Sequence, residues 1–175
     1  MSGLKRGSIA VCGVAESDLG KVAPDTTPID LMAQATVRAV DDAGLKLSDI
    51  DAVLAVCSQT RYSASLLCEY LQIKPKMFDG TMIGGSSFMS MIAHAQAAIQ
   101  AGVCETALIA YGSTQRSVSR AAASPREYNH YETPYRPFLP ASAYALAAAR
   151  HMHQYGTTRE NLAEVAVAAR QWALM

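Results

Sequence analysis

The sequence has no CxxC pair and no histidine at metal-ligand spacing from a cysteine. Its four cysteines, Cys12, Cys57, Cys68 and Cys104, are scattered along 175 residues. That scatter excludes a zinc-ribbon or redox-dithiol motif. A disulfide framework is not expected in a chain of this size without secretory features, so all four read as reduced, buried thiols in a cytoplasmic protein. Excess charge of either sign is lacking too, since 15 basic residues balance 15 acidic ones. Without a basic surplus there is no electrostatic footprint for nucleic acid. No apolar run approaches the roughly 18 residues a membrane-crossing helix needs. The opening MSGLKRGSIAVCGV has a basic pair but too short an apolar run for a signal peptide, and reads as a first strand. Internal repeats and low-complexity tracts are absent.

Half of the residues are apolar, enough for the core of one domain. The run GSIAVCGV (Gly7 to Val14) suits a buried strand. Ile29 to Ala43 is helical, with Ile29, Met32, Ala33, Val37 and Val40 at three- and four-residue spacing. Thr27 as N-cap, Pro28 in the first turn and Gly44 past the end punctuate it. A second strand is expected at about Ala52 to Cys57, a short helix at Ser65 to Leu71 and a brief strand at Met77 to Gly80. A small-residue helix from about Ser87 to Ala101 follows, then the strand TALIAY (Thr106 to Tyr111). Strands apolar on both faces, alternating with helices, predict an α/β fold with a mostly parallel sheet between helices.

Residues 1–112 therefore read as a core and 113–140 as a loop region. The loop holds four of the seven prolines, Arg116, Arg120, Arg126 and Arg136, and Tyr128, His130, Tyr131 and Tyr135. So long a loop in a compact domain marks a lid, an oligomer contact or an insertion. Residues 141–175 are helical, with Thr157 and Glu160 expected as a capping-box pair, and the last helix ends without a stop signal, as if cut in mid-domain.

Two patterns carry a resemblance. One is AxxAIxAGxxxxALIxYG from Ala95 to Gly112, and the other is HMxxYGTTRENLAEVAVxARQ from His151 to Gln171. With the early helix ending DDAGLKLSDIDAV, they resemble the N-terminal half of thiolase-superfamily proteins of the sterol-carrier or lipid-transfer type. The resemblance implies a βαβαβαββ half of a five-layered α/β/α/β/α sandwich, in proteins about twice this length. It places a catalytic His, a second Cys and an Asn-containing motif in the other half.

In such proteins a nucleophilic cysteine stands where the third strand meets the long helix, because a helix N-terminus stabilises a thiolate. Counting back from Gly102 places that cysteine near Gly85 or Ser86, within DGTMIGGSSFMSMIAHAQ (Asp79 to Gln96). The chain has GGSS there, and Cys104 lies beyond the helix. Three readings of Ser86 and Ser87 stand open. Gly84 and Gly85 make a tight turn and a serine caps the helix. Alternatively, Gly84, Gly85, Ser86 and Ser87 receive a thioester or carbonyl without covalent attack. In the third, a serine is the nucleophile, which needs a positioned base. His94 lies two turns on, too far to activate Ser86 or Ser87, and reads as a core or interface histidine. Met82, Met89 and Met91 read as core or flexible apolar surface. Tyr131 and the neighbouring aromatics read as loop anchors or a substrate entrance. The loop arginines read as solvated or as partners of coenzyme A phosphates.

The resemblance implies a protein acting on acyl-CoA thioesters in lipid metabolism, by C–C bond cleavage or formation without a cysteine nucleophile. Retro-aldol cleavage of a steroid or lipid side-chain CoA ester, beside a small OB-fold and zinc-ribbon partner, is one form of it. The alternatives are acetyl-CoA acetyltransferase activity and a non-catalytic acyl-CoA- or lipid-binding subunit. A homodimer is expected, with coenzyme A thioester as substrate, no tightly bound cofactor and no metal, and with this length of chain inactive by itself.

Overall fold

A computed structural model describes residues 3–118 and 129–175. The chain divides into two compact units, Met1–Arg126 and Glu127–Met175. In the first unit the described elements run in the order α1 (Pro28–Asp42), a 3-10 turn (Leu47–Asp49), β1 (Ala52–Val56), α2 (Ser63–Leu71), β2 (Met77–Asp79), α3 (Ser87–Gln100) and β3 (Ala107–Tyr111).

All five residues of β1 are buried, because β1 is the middle strand of a parallel sheet ordered β2-β1-β3. Alternation along the strand sorts its side chains between two cores. Val53 and Ala55 join Leu108 and Ala110 against Met32, Ala33 and Val40 of α1 and Ala64 and Leu67 of α2. Ala52, Leu54 and Val56 face the other way, against Met91, Ala95 and Ala98 of α3. The sheet is thus covered by α1 and α2 on one face and by α3 on the other. The register pairs Leu54 with Asp79 on one side and with Ile109 on the other.

Local chemistry sets the helix ends. Thr27 Oγ1 accepts the Asp30 N–H at 3.2 Å, and Asp30 Oδ2 accepts the Thr27 N–H at 2.8 Å, so two otherwise orphaned donors are satisfied reciprocally. Two glycines let backbone close on α1. A Cβ on Gly13 would collide with the Ala39 carbonyl and with Ala43, and one on Gly112 with the Pro28 carbonyl and with Met32.

At the amino end of the sheet one carboxylate joins all three strands. Asp51 accepts the Thr106 N–H at 2.9 Å, the Glu105 N–H at 3.0 Å and the Lys76 ammonium at 3.0 Å. Its own carbonyl accepts the Lys76 N–H at 2.7 Å. Burial pushes the Asp51 carboxyl up, but the hydrogen bonds from Thr106, Lys76 and Glu105 outweigh it and hold the group below the usual carboxylate range.

Three sequence expectations change here. The run from Gly7 to Val14 is not a ladder strand, and Val11 and Val14 are 77% and 71% exposed. Its last residue and the chain beyond it bond to α1 side chains instead: Val14 N–H to Asp42 at 2.9 Å, and Asp18 to Gln34 and Arg38. Cys12 on this segment is exposed, whereas Cys57, Cys68 and Cys104 are buried as expected. The third change lies in the second unit, which holds a 3-10 turn (Thr133–Tyr135), α4 (Ala141–Tyr155) and α5 (Arg159–Ala173). The capping box of α5 pairs Thr158 with Asn161, one residue later than Thr157 and Glu160, because Thr158 is the extended residue before the first helical turn.

Candidate functional site

The carboxyl ends of parallel strands are where α/β sheets place ligands, since strand ends and helix N-termini converge there. In this chain that end carries Gln59 after β1, the turn from Gly80 to Ser86 after β2, and Gly112 to Thr114 after β3. Gln59 knits two of these loops together. Its Oε1 accepts the Ser113 hydroxyl and the Thr114 N–H, each at 2.9 Å, and its Nε2 donates to Thr114 Oγ1 at 2.9 Å.

The turn between β2 and α3 is built by three side chains. Asp79 Oδ1 accepts both the Thr81 N–H and the Thr81 hydroxyl at 3.1 Å, an Asx-type bond that starts the turn. Gly84 adopts φ +74°, a conformation a side chain would strain. Ser87, 0% exposed, closes the turn: its Oγ accepts the Ile83 N–H at 2.9 Å and donates to the Gly84 carbonyl at 2.7 Å.

The two serines of GGSS therefore differ. Ser87 is committed to the turn and has no hydroxyl proton to spare for chemistry. Ser86 is the N-cap residue of α3, exposed, and makes no side-chain cap bond because its backbone is already helical. Gly84, Gly85 and Ser86 are all exposed at the start of the helix. The geometry there suits an acceptor group placed against the positive end of α3.

Sequence reasoning underrated His94. Of the core and interface readings the core one fails, since His94 is 43% exposed, and its Nδ1 lies 2.6 Å from Asp79 Oδ2. Its Nε2 lies 3.4 Å from the Ser90 hydroxyl, one helical turn nearer the N-terminus of α3. Burial pushes the Asp79 carboxyl up, but hydrogen bonds from His94, Thr81 and the Gly80 N–H more than offset it, leaving the group below its ordinary value. The signal for Ser90 with His94 was their four-residue spacing. The Asp79 partner needed the packing of α3 across β2.

Met91 is fully buried in the core, whereas Met82 and Met89 are exposed. Tyr131 stands in the second unit, 88% exposed, with its N–H bonded to Asn129 Oδ1 at 3.0 Å. His130, Tyr135, Arg116 and Arg136 are exposed, while Arg120, Arg126 and Tyr128 fall outside the described residues. Among the described residues no three His, Cys, Asp or Glu side chains are grouped to hold a metal ion. No described helix is long and apolar enough to cross a membrane.

A parallel sheet between helices, with a glycine turn leading into the long helix α3, is an α/β fold that matches thiolase-like proteins. No family model matches the chain. Its structure is similar to the Ltp2-ChsH2(DUF35) aldolase, with a TM-score of 0.66 at 22% identity, covering 85% of this chain and 39% of that one. It is also similar to a variant of OleA from Xanthomonas campestris with bound lauric acid and lauroyl-CoA, with a TM-score of 0.52 at 21% identity, covering 66% and 36%. Among curated proteins it is 24% identical over 177 residues to a steroid side-chain-cleaving aldolase of Thermomonospora curvata, covering 95% of this chain and 45% of that protein. It is 29% identical over 174 residues to an acetyl-CoA acetyltransferase of Methanothermobacter thermautotrophicus, covering 91% and 43%. The chain thus spans less than half the length of the curated relatives it matches.

Proposed function

We propose that the chain is the part of a thiolase-like protein that receives an acyl-CoA thioester at the Gly80–Ser86 turn, and that the whole protein breaks or forms a C–C bond without a cysteine nucleophile. The observation that carries this is the turn itself. Gly85 and Ser86 occupy the place where the resemblance puts a nucleophilic cysteine, and three of the four thiols are buried. The exposed one, Cys12, belongs to the segment pinned along α1.

Retro-aldol cleavage of a steroid or lipid side-chain CoA ester fits such a turn. It needs a base for the hydroxyl proton and a site that stabilises an enolate, not an acyl-accepting thiolate. The similarity to two aldolases supports this reading, and the lauroyl-CoA bound to the OleA variant supports the thioester as the ligand class. The relative named acetyl-CoA acetyltransferase keeps thiolysis as the second reading. A non-catalytic acyl-CoA-binding subunit is the outcome if neither reaction is found.

Assembly belongs to the same proposal. β2 is an edge strand of the described sheet, and Phe78, Met82, Ile83 and Met89 around it are exposed, which supports a homodimer. A small OB-fold and zinc-ribbon protein is the proposed second partner, by analogy with the ChsH2(DUF35) component of the aldolase neighbour.

The test is an assay of the complete protein, with and without that partner, on a β-hydroxyacyl-CoA bearing a steroid side chain and on acetoacetyl-CoA with free coenzyme A. Retro-aldol products without thiolysis are expected. Robust thiolysis that survives Ser86→Ala and Ser87→Ala would overturn the reading of the missing cysteine.

A further inference from the structure

The geometry points to Ser90, His94 and Asp79 as a serine-nucleophile site that hydrolyses activated acyl groups, thioesters included. This goes beyond the reading above, which has no covalent step. The argument starts from connectivity. Asp79 Oδ2 sits 2.6 Å from His94 Nδ1, and an ionised carboxylate in that position requires the proton on Nδ1. In the neutral imidazole the Nε2 lone pair is then free, and the polar atom 3.4 Å from it is Ser90 Oγ. A nucleophile next to a base that is oriented by a third group is the diagnostic arrangement for covalent catalysis, with looser distances expected before a substrate binds.

Three further observations support it. Asp79 is held by the Thr81 N–H and hydroxyl, so the carboxylate is fixed before it meets the imidazole. Its side chain is only 25% exposed, whereas His94 is 43% exposed and Ser90 is partly exposed, so the orienting group is sheltered and the reacting pair is reachable. Ser90 also lies within the first turn of α3, where the positive end of the helix favours a developing oxyanion. Ser87 lacks these advantages, since its hydroxyl is spent on Ile83 and Gly84.

In the reaction Ser90 Oγ bonds to the carbonyl carbon while its proton passes to His94 Nε2. The C–S bond breaks and the thiol leaves with that proton. Water then adds to the acyl-serine, giving a proton to His94, and the C–O bond breaks to release the carboxylic acid and restore the Ser90 hydroxyl. Ser90 and His94 are catalytic residues in this scheme, and Asp79 is a positioning residue.

The complete protein is treated with diisopropyl fluorophosphate and the peptides of this 175-residue stretch are mapped by mass. One adduct is expected, on Ser90, absent in Ser90→Ala and formed about a hundredfold more slowly in His94→Gln. Since His94→Gln or Asp79→Asn alters packing as well, the wild-type adduct map decides the site independently. Imidazole nitrogen shifts check the positioning role: His94 carries its proton on Nδ1 in the wild type and loses that preference in Asp79→Asn. No adduct on the wild type, or an adduct elsewhere, overturns the proposal. A labelling rate indifferent to His94→Gln overturns it too. Because the reagent contains neither thioester nor β-hydroxyacyl group, its result is separate from the fate of the retro-aldol reading.

Discussion

His94 Nδ1 and Asp79 Oδ2 stand 2.6 Å apart, a bond that ties the middle of α3 to the last residue of β2. The seven-residue connection between them, Gly80 to Ser86, is thereby pinned at both ends. The position of the turn over the sheet thus depends on a hydrogen bond between side chains fifteen residues apart.

That bond sets an acid limit. The Asp79 carboxyl is depressed in the folded chain, so its contribution is fully present above the ordinary carboxylate value of about 4 and is lost as pH falls through the depressed value. Asp79→Asn is expected to lower unfolding free energy by about 1 kcal/mol at pH 7, with the difference from wild type shrinking below about pH 4. Urea titrations at both pH values measure it. A difference that grows on acidification would contradict the assignment.

A larger effect is expected at the opposite end of the sheet. Asp51→Asn removes a carboxylate that serves Lys76, Glu105 and Thr106 together and is expected to cost about 2 kcal/mol or more. Lys76→Met loses an exposed partner only, so its effect should be clearly smaller. Asp51 is depressed, so its share disappears on acidification. Lys76 is raised, so its share persists below the ordinary lysine value and fades as pH rises through the folded one. Paired denaturation curves across pH test the order and both signs.

The adjacent serines should part company. Ser87→Ala removes a buried hydroxyl that serves the Ile83 N–H and the Gly84 carbonyl and is expected to destabilise by about 1–2 kcal/mol. Ser86→Ala, at an exposed position without a cap bond, should stay within about 0.5 kcal/mol. Chemical denaturation of both variants decides this, and a reversed order would mean that Ser86 holds the turn.

Two glycines offer a contrast of mechanism. Gly112→Ala drives a methyl into the Pro28 carbonyl and Met32, and is expected to cost about 1–3 kcal/mol through overpacking. Gly84→Ala meets open space and is opposed only by its φ of +74°, a cost of about 1 kcal/mol. Thermal melts should separate them in that order.

Much of the fold was legible because it rests on local rules. The uniformly apolar run AVLAV announced a strand of a mostly parallel sheet, and Thr27 with Pro28 announced the start of α1. Asp30 completes that cap by the same reciprocal bonding. The N-terminal run failed as a strand because apolar, β-rich composition does not supply a ladder partner, and its last residue and the chain beyond it bond to the side chains of α1. The second capping box slipped by one residue, since TT offers two equivalent hydroxyls and only backbone conformation chooses between them. At the site, the glycine turn could be read from composition, but the different fates of Ser86 and Ser87 could not. They depend on which hydroxyl points into the turn. The Asp79 partner of His94 was illegible for a similar reason: it lies on another element.

The bonds of Asp51 give the sheet a keystone at the end remote from the turn. Register among the three strands is secured there, whatever sequence fills the loops at the other end. Those loops are therefore at liberty to drift in sequence while the strands keep their alignment. A scaffold anchored from behind in this way can lose one chemistry and try another without first having to relearn how to fold.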